Sequence, residues 1–190
     1  MKHFSIPFEE ILIRLDLPDT TQNILRYSPT GKVPALIDGD LVVWESAAIM
    51  EYLSDKYPEK KMYPKDINDR ALARSLSMEM HAGFSKMRGL LSFNLKKQHQ
   101  NFDYSAANDD IERIKYLWTT QLKKSGGPFL FGEFSIADAM YAPVVGRFKT
   151  YSVSVEGEVK SYCESIMNLP AMKEWYKGGM AEDFDAEKHP

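Results

Sequence analysis

The sequence predicts an α+β fold in two unlike parts: strands mixed with helices up to about Tyr57, and helices alone from about Asp66. Three observations carry this. Asp38-Gly39-Asp40 stands between the apolar runs Pro34-Ala35-Leu36-Ile37 and Leu41-Val42-Val43-Trp44, which is a hairpin signal. Tyr57 to Pro64 holds two prolines and a charge cluster without periodicity, the composition of a connection. Beyond it, apolar residues recur at the helical spacing of three and four.

In order along the chain, Ile11, Ile13 and Leu15 alternate with Leu12 and Arg14, a period of two that predicts a strand. Leu17-Pro18-Asp19-Thr20 breaks it and offers Asp19 or Thr20 as the cap of a helix ending near Tyr27. The hairpin follows. Ala48 with Tyr52 and Ile49 with Leu53 then predict a helix from Ser46 to Lys56. Ala73, Leu76, Met80, Phe84, Met87 and Leu91 form the stripe of one long helix over roughly Ala71 to Leu95. Ile111, Ile114, Trp118 and Leu122 repeat the stripe behind Asp109 and Asp110, and Gly126-Gly127-Pro128 ends that helix. Ser135-Ile136-Ala137-Asp138 is a capping-box variant that opens a helix carrying Ile136, Met140, Val144 and Phe148, kinked at Pro143. Two short helices, Glu158 to Met167 and Pro170 to Tyr176, complete the order, with Gly178-Gly179 as the final stop. The division is therefore residues 1–57, a connection at 58–65, and a helical domain at 66–190.

Composition narrows the function. The 190 residues carry 24 Lys plus Arg against 27 Asp plus Glu, a net charge of -3 with no basic cluster, which argues against nucleic acid. No window approaches the run of about 18 apolar residues that a membrane helix needs. The lone Cys163 excludes an internal disulfide and any zinc site built on two thiolates, so a reducing, cytoplasmic address is expected, with no metal. Dinucleotide, P-loop, zinc-protease and serine-hydrolase motifs are missing. His81 reads as a hydrogen-bonded structural or surface residue, and Cys163 as a small buried hydrophobe rather than a nucleophile. Met78, Met80 and Met87 suit an adaptable apolar floor but read chiefly as core. The acidic run Glu182, Asp183, Asp185 and Glu187 reads as solvated.

Gly31-Lys32-Val33-Pro34-Ala35-Leu36, Trp44 to Leu53, and Phe129 to Asp138 resemble the glutathione S-transferase family in order and spacing, over nearly the whole span from Phe8 to Tyr176. The resemblance implies a thioredoxin-like domain that binds glutathione as co-substrate and an all-helical domain that supplies a pocket for a small, apolar electrophile. It implies a cis bond at Val33-Pro34, with the tripeptide backbone pairing strand-like to Val33. Glu45 and Ser46, at a helix N-terminus, would answer the ammonium and carboxylate of the γ-glutamyl end, and Lys32 the glycyl carboxylate. The activity implied is transfer in detoxification, similar to the zeta and related bacterial classes, with maleylacetoacetate isomerisation as one form, in a cytoplasmic homodimer.

Members of the family begin with a strand, a loop bearing the catalytic hydroxyl or thiol, and a helix. The resemblance places Met1-Lys2-His3-Phe4 at the end of that helix, which leaves the thioredoxin-like domain partial by roughly 20 to 25 residues and the catalytic residue unassigned. Neither Ser5 nor Ser28 matches its position. A binding or protein-interaction module of the same fold, without catalysis, is the alternative.

Overall fold

The computed structural model describes residues 1–182. Asp183, Asp185 and Glu187 of the acidic run lie outside the described residues. The chain forms two compact units, one from Met1 to Met62 and one from Tyr63 onward.

In the first unit, a 3₁₀ turn at Lys2–Phe4 precedes α1 (Thr20–Leu25), β1 (Ala35–Asp38), β2 (Leu41–Trp44) and α2 (Ser46–Lys56). The hairpin forms where the sequence places it, antiparallel with Ala35 opposite Trp44 and Asp38 opposite Leu41. Its two-residue turn is Gly39-Asp40, and only Gly39 has positive φ, at 61°. That sign pattern belongs to a II′ turn, so glycine supplies the left-handed position and Asp40 does not need it. On the hairpin, α2 is held by its own side chains. The Tyr52 hydroxyl donates to Asp38 Oδ2 at 2.6 Å and Lys56 pairs with the same carboxylate. Lys56 and then Tyr52 hold the Asp38 carboxyl below the usual range.

The strand expected over Ile11 to Leu15 does not form: residues 6–14 carry no helix, turn or ladder. A strand exists by pairing, and the sheet of the described residues contains β1 and β2 alone. Ile11, Leu12 and Leu15 are accordingly 51%, 68% and 53% exposed.

The second unit is helical: α3 (Ile67–Ala82), α4 (Ser85–Leu90), α5 (Asn108–Ser125), α6 (Ile136–Thr150), α7 (Gly157–Asn168) and α8 (Pro170–Ala181). Its entry is fixed at once. Asp66 caps α3, accepting from the Asn68 and Asp69 amides, while Arg70 reaches back to the carbonyls of Pro64 and Lys65. The long helix of the sequence reading is two helices, because Gly83 leaves the helical region and Phe84 takes φ 58° before α4 begins. All six stripe residues are still buried, from Ala73 to Leu91, so the stripe reported burial correctly and continuity wrongly. The break is held from α5: the Met87 amide donates to Asp110 Oδ2, and Arg113 grips Glu79 through two nitrogens. Met78 is 39% exposed, whereas Met80 and Met87 are core, so the three methionines do not form one floor.

The core is aromatic. Trp118 on α5 meets Tyr141 and Phe148 of α6 and Tyr162 of α7 at ring separations of 5.0–5.6 Å. The predicted capping box of α6 is complete. Asp138 accepts from the Ser135 amide and hydroxyl on one oxygen and from the Leu130 amide on the other, all while fully buried. Burial pushes its carboxyl pKa up and these donors oppose the shift. Gly178-Gly179 does not stop α8, which runs on to Ala181. A Cβ on Gly179 would lie 2.7 Å from Leu95 Cδ1, so that glycine serves a close approach.

Candidate functional site at the open end of the hairpin

The register of the hairpin decides which residues meet. Ala35 pairs with Trp44, so the next positions outward are Pro34 and Glu45, and both motifs singled out in the sequence flank the open end of one two-stranded ladder. The Val33-Pro34 bond is cis. Val33 is 50% exposed and lies outside the ladder, which leaves its backbone amide and carbonyl clear of the pairing between β1 and β2. A strand-like ligand is recognised by such groups. Lys32 precedes it with an exposed side chain, and its amide donates to Thr30 Oγ1 at 3.3 Å.

Across the end, Glu45 occupies φ 67°, ψ 122°. For a glutamate this is a sparsely populated region, with a cost of order 1–3 kcal/mol that the surrounding structure must sustain. The side chain does not cap α2. Its carbonyl accepts from the Ile49 amide at 3.0 Å, the first helical bond, so the chain turns from β2 into α2 through this one residue. Ser46 is the first helical residue and half-buried. The amides of the first turn and the positive end of the helix dipole therefore open onto the same end as Val33-Pro34, an arrangement suited to a carboxylate. The Glu45 carboxylate beside them suits an ammonium. Residue types alone do not announce the Glu45 backbone: Glu-Ser before a helix reads as a plain cap, and only the dihedrals show the strained turn.

Other candidates fall away. Burial pushes the Cys163 thiol up to about 12, so it stays protonated and unreactive. His81 is half-buried on α3, and its carbonyl accepts from Arg88. Among the described residues no group of three His, Cys, Asp or Glu side chains gathers as metal ligands, and no helix is long and apolar enough to cross a membrane. Two clefts of about 430 Å³ each lie in the second unit, one beside Phe102, Tyr104 and Tyr151, the other beside Gly126-Gly127-Pro128 and Tyr162. Neither includes a residue of the hairpin end.

The chain is similar to known proteins in sequence and in fold. The N-terminal domain model of glutathione S-transferase matches residues 1–56, and the C-terminal domain model matches residues 104–178. Glutathione S-transferase Z1 of Arabidopsis thaliana is 30% identical over 155 residues, which span 78% of this chain and 70% of that protein. A probable maleylacetoacetate isomerase of Caenorhabditis elegans is 24% identical over 171 residues, spanning 88% of this chain and 80% of that one. Among solved structures, a glutathione transferase homologue from Burkholderia gl BGR1 with bound glutathione has a TM-score of 0.72 at 24% identity. It covers 95% of this chain, which covers 88% of it in turn, and it shares the fold.

Proposed function

This chain belongs to the glutathione S-transferase family, and from that premise we propose that it is a glutathione transferase, joining the glutathione thiol to a small electrophile or isomerising one. The observation that carries the reading is the meeting of Val33-Pro34 and Glu45-Ser46 at one end of the hairpin, with α2 pointing its N-terminus there. Glutathione offers an extended backbone, an ammonium and two carboxylates. Val33 takes the backbone in strand-like pairing, with Pro34 bounding it. The Glu45 carboxylate takes the γ-glutamyl ammonium, the Ser46 hydroxyl and the first amides of α2 take its carboxylate, and Lys32 takes the glycyl carboxylate. In this reading residues 1–57 hold glutathione, 58–65 connect, and 66–190 supply the acceptor's pocket. The protein is a cytoplasmic homodimer, and light scattering that finds monomer alone at micromolar concentration contradicts that part.

Calorimetry tests the site. Glutathione binds the unaltered chain, and Glu45→Ala and Ser46→Ala each weaken it about tenfold, the loss of one charge-assisted hydrogen bond. Unchanged affinity in both variants refutes the assignment. A second reading, a glutathione-binding or protein-interaction module without catalysis, is favoured by the early hydroxyls: Ser28 is 1% exposed and within hydrogen-bond distance of Thr30. Conjugation of glutathione to a panel of electrophiles decides between them, because the module binds glutathione and turns nothing over.

A further inference from the structure

Residues 6–14 run without a turn, bend or ladder, and no residue from Ile6 to Leu15 has positive φ; Asp16, at φ 63°, ends the run. Among the described residues no hydrogen bond engages the backbone from Glu9 to Ile13. The Arg14 carbonyl accepts from the Thr20 hydroxyl at 2.8 Å, which pins the far end. From Glu9 to Leu15 every residue is exposed except Ile13, which is half-buried. An unbent, apolar segment whose amides and carbonyls lack a ladder is a template for another strand.

The segment matches itself. Glu10-Ile11-Leu12-Ile13-Arg14 has a leucine at its centre, an isoleucine on each side and opposite charges at its ends. When two copies run antiparallel with Leu12 opposite Leu12, Ile11 stands opposite Ile13 and Glu10 opposite Arg14, on both sides of the two-fold axis. Side chains directly opposite share a face. One face of the ladder therefore gathers Ile11 and Ile13 of both copies, while the other sets a Glu10–Arg14 pair on each side of the two leucines. Neighbouring registers lose this match. Centred on Ile13, the pairing sets Glu10 against Asp16, like against like; centred on Ile11, it sets Glu10 against Leu12 and Arg14 against Phe8, and answers neither charge. An axis between two residues brings the odd-numbered face of one copy beside the even-numbered face of the other, which splits the isoleucines between the two faces.

We propose that this chain forms an antiparallel β-ladder with a second copy of itself through residues 10–14, in the register that sets Glu10 against Arg14. Leu12, 68% exposed in the single chain, lies on the two-fold axis and is covered by its own counterpart. The pairing gives the homodimer of the proposed function an interface; it rests on that reading for the dimer and not for glutathione.

Sedimentation equilibrium at low salt tests the register by exchanging charges. The unaltered chain dimerises, more weakly as salt rises. Glu10→Arg sets arginine against arginine and Arg14→Glu sets glutamate against glutamate, and each weakens dimerisation about tenfold. An equimolar mixture of the two variants associates about tenfold more tightly than either alone, because each supplies the charges the other lacks, and the double variant returns to within severalfold of the unaltered chain. With a mild oxidant, Leu12→Cys closes a disulfide between copies and Leu15→Cys does not, because residue 15 stands opposite residue 9; this pair carries the test if Arg14→Glu fails to fold. Monomer alone at micromolar concentration overturns the pairing and the homodimer together. A dimer that survives both single variants, a mixture no tighter than its parts, or equal cross-linking at residues 12 and 15 overturns the pairing alone. Glutathione affinity is unchanged in Glu10→Arg and falls in Glu45→Ala, which keeps the transferase reading separate from either failure.

Discussion

Glu45 carries two duties that pull apart under substitution. In the proposed function its carboxylate takes the glutathione ammonium, while its φ of 67° is a conformation that glycine adopts without cost. Glu45→Gly is therefore expected to leave thermal stability equal or raise it by up to about 1 kcal/mol, and to weaken glutathione about tenfold. Calorimetry and thermal unfolding on the same sample check both, and a fall in both would show that the residue serves the fold. Asp138 is the opposite case, a residue with structural duty alone. Asn offers one acceptor where the carboxylate offers two, so an amide NH₂ must face either the Leu130 amide or the donors of Ser135. Asp138→Asn is expected to lower stability by about 2 to 3 kcal/mol in urea titration.

At the scale of elements, the two glycines near the end of α8 differ although they are neighbours. A Cβ on Gly178 meets nothing within 4 Å, whereas one on Gly179 meets Leu95. Gly178→Ala gains helix propensity alone and is expected to stabilise by about 0.5 to 1 kcal/mol. Gly179→Ala gains less, because Leu95 must move. Equal denaturation midpoints for the pair would contradict the close approach. The same contact explains why Gly-Gly fails as a stop: a glycine pair permits a helix to end, and packing decides whether it does. The break at Gly83-Phe84 is the converse. Spacing of 3, 4, 4, 3 and 4 along one face is satisfied by a single helix and by two that share a buried side, and the bond from Met87 to Asp110 selects the second.

At the scale of the whole molecule, the first unit leaves Ile11, Leu12, Leu15 and Leu17 between 49% and 68% exposed. Such apolar exposure binds hydrophobic dyes and promotes association. Leu12→Lys is expected to reduce both without lowering the unfolding midpoint of the dilute, monomeric chain, since an exposed side chain contributes little burial; a lowered midpoint there would show that the residue is covered within the monomer. The sequence by itself determined the hairpin and its end residues, the helix that follows it, the α6 capping box and the family, because each depends on neighbours within a few positions. Tertiary structure alone decided three things: that residues 11–15 do not pair, that the long stripe is broken, and that Glu45 is strained. Each of these depends on what lies alongside a segment in space, and periodicity along the chain carries no record of that.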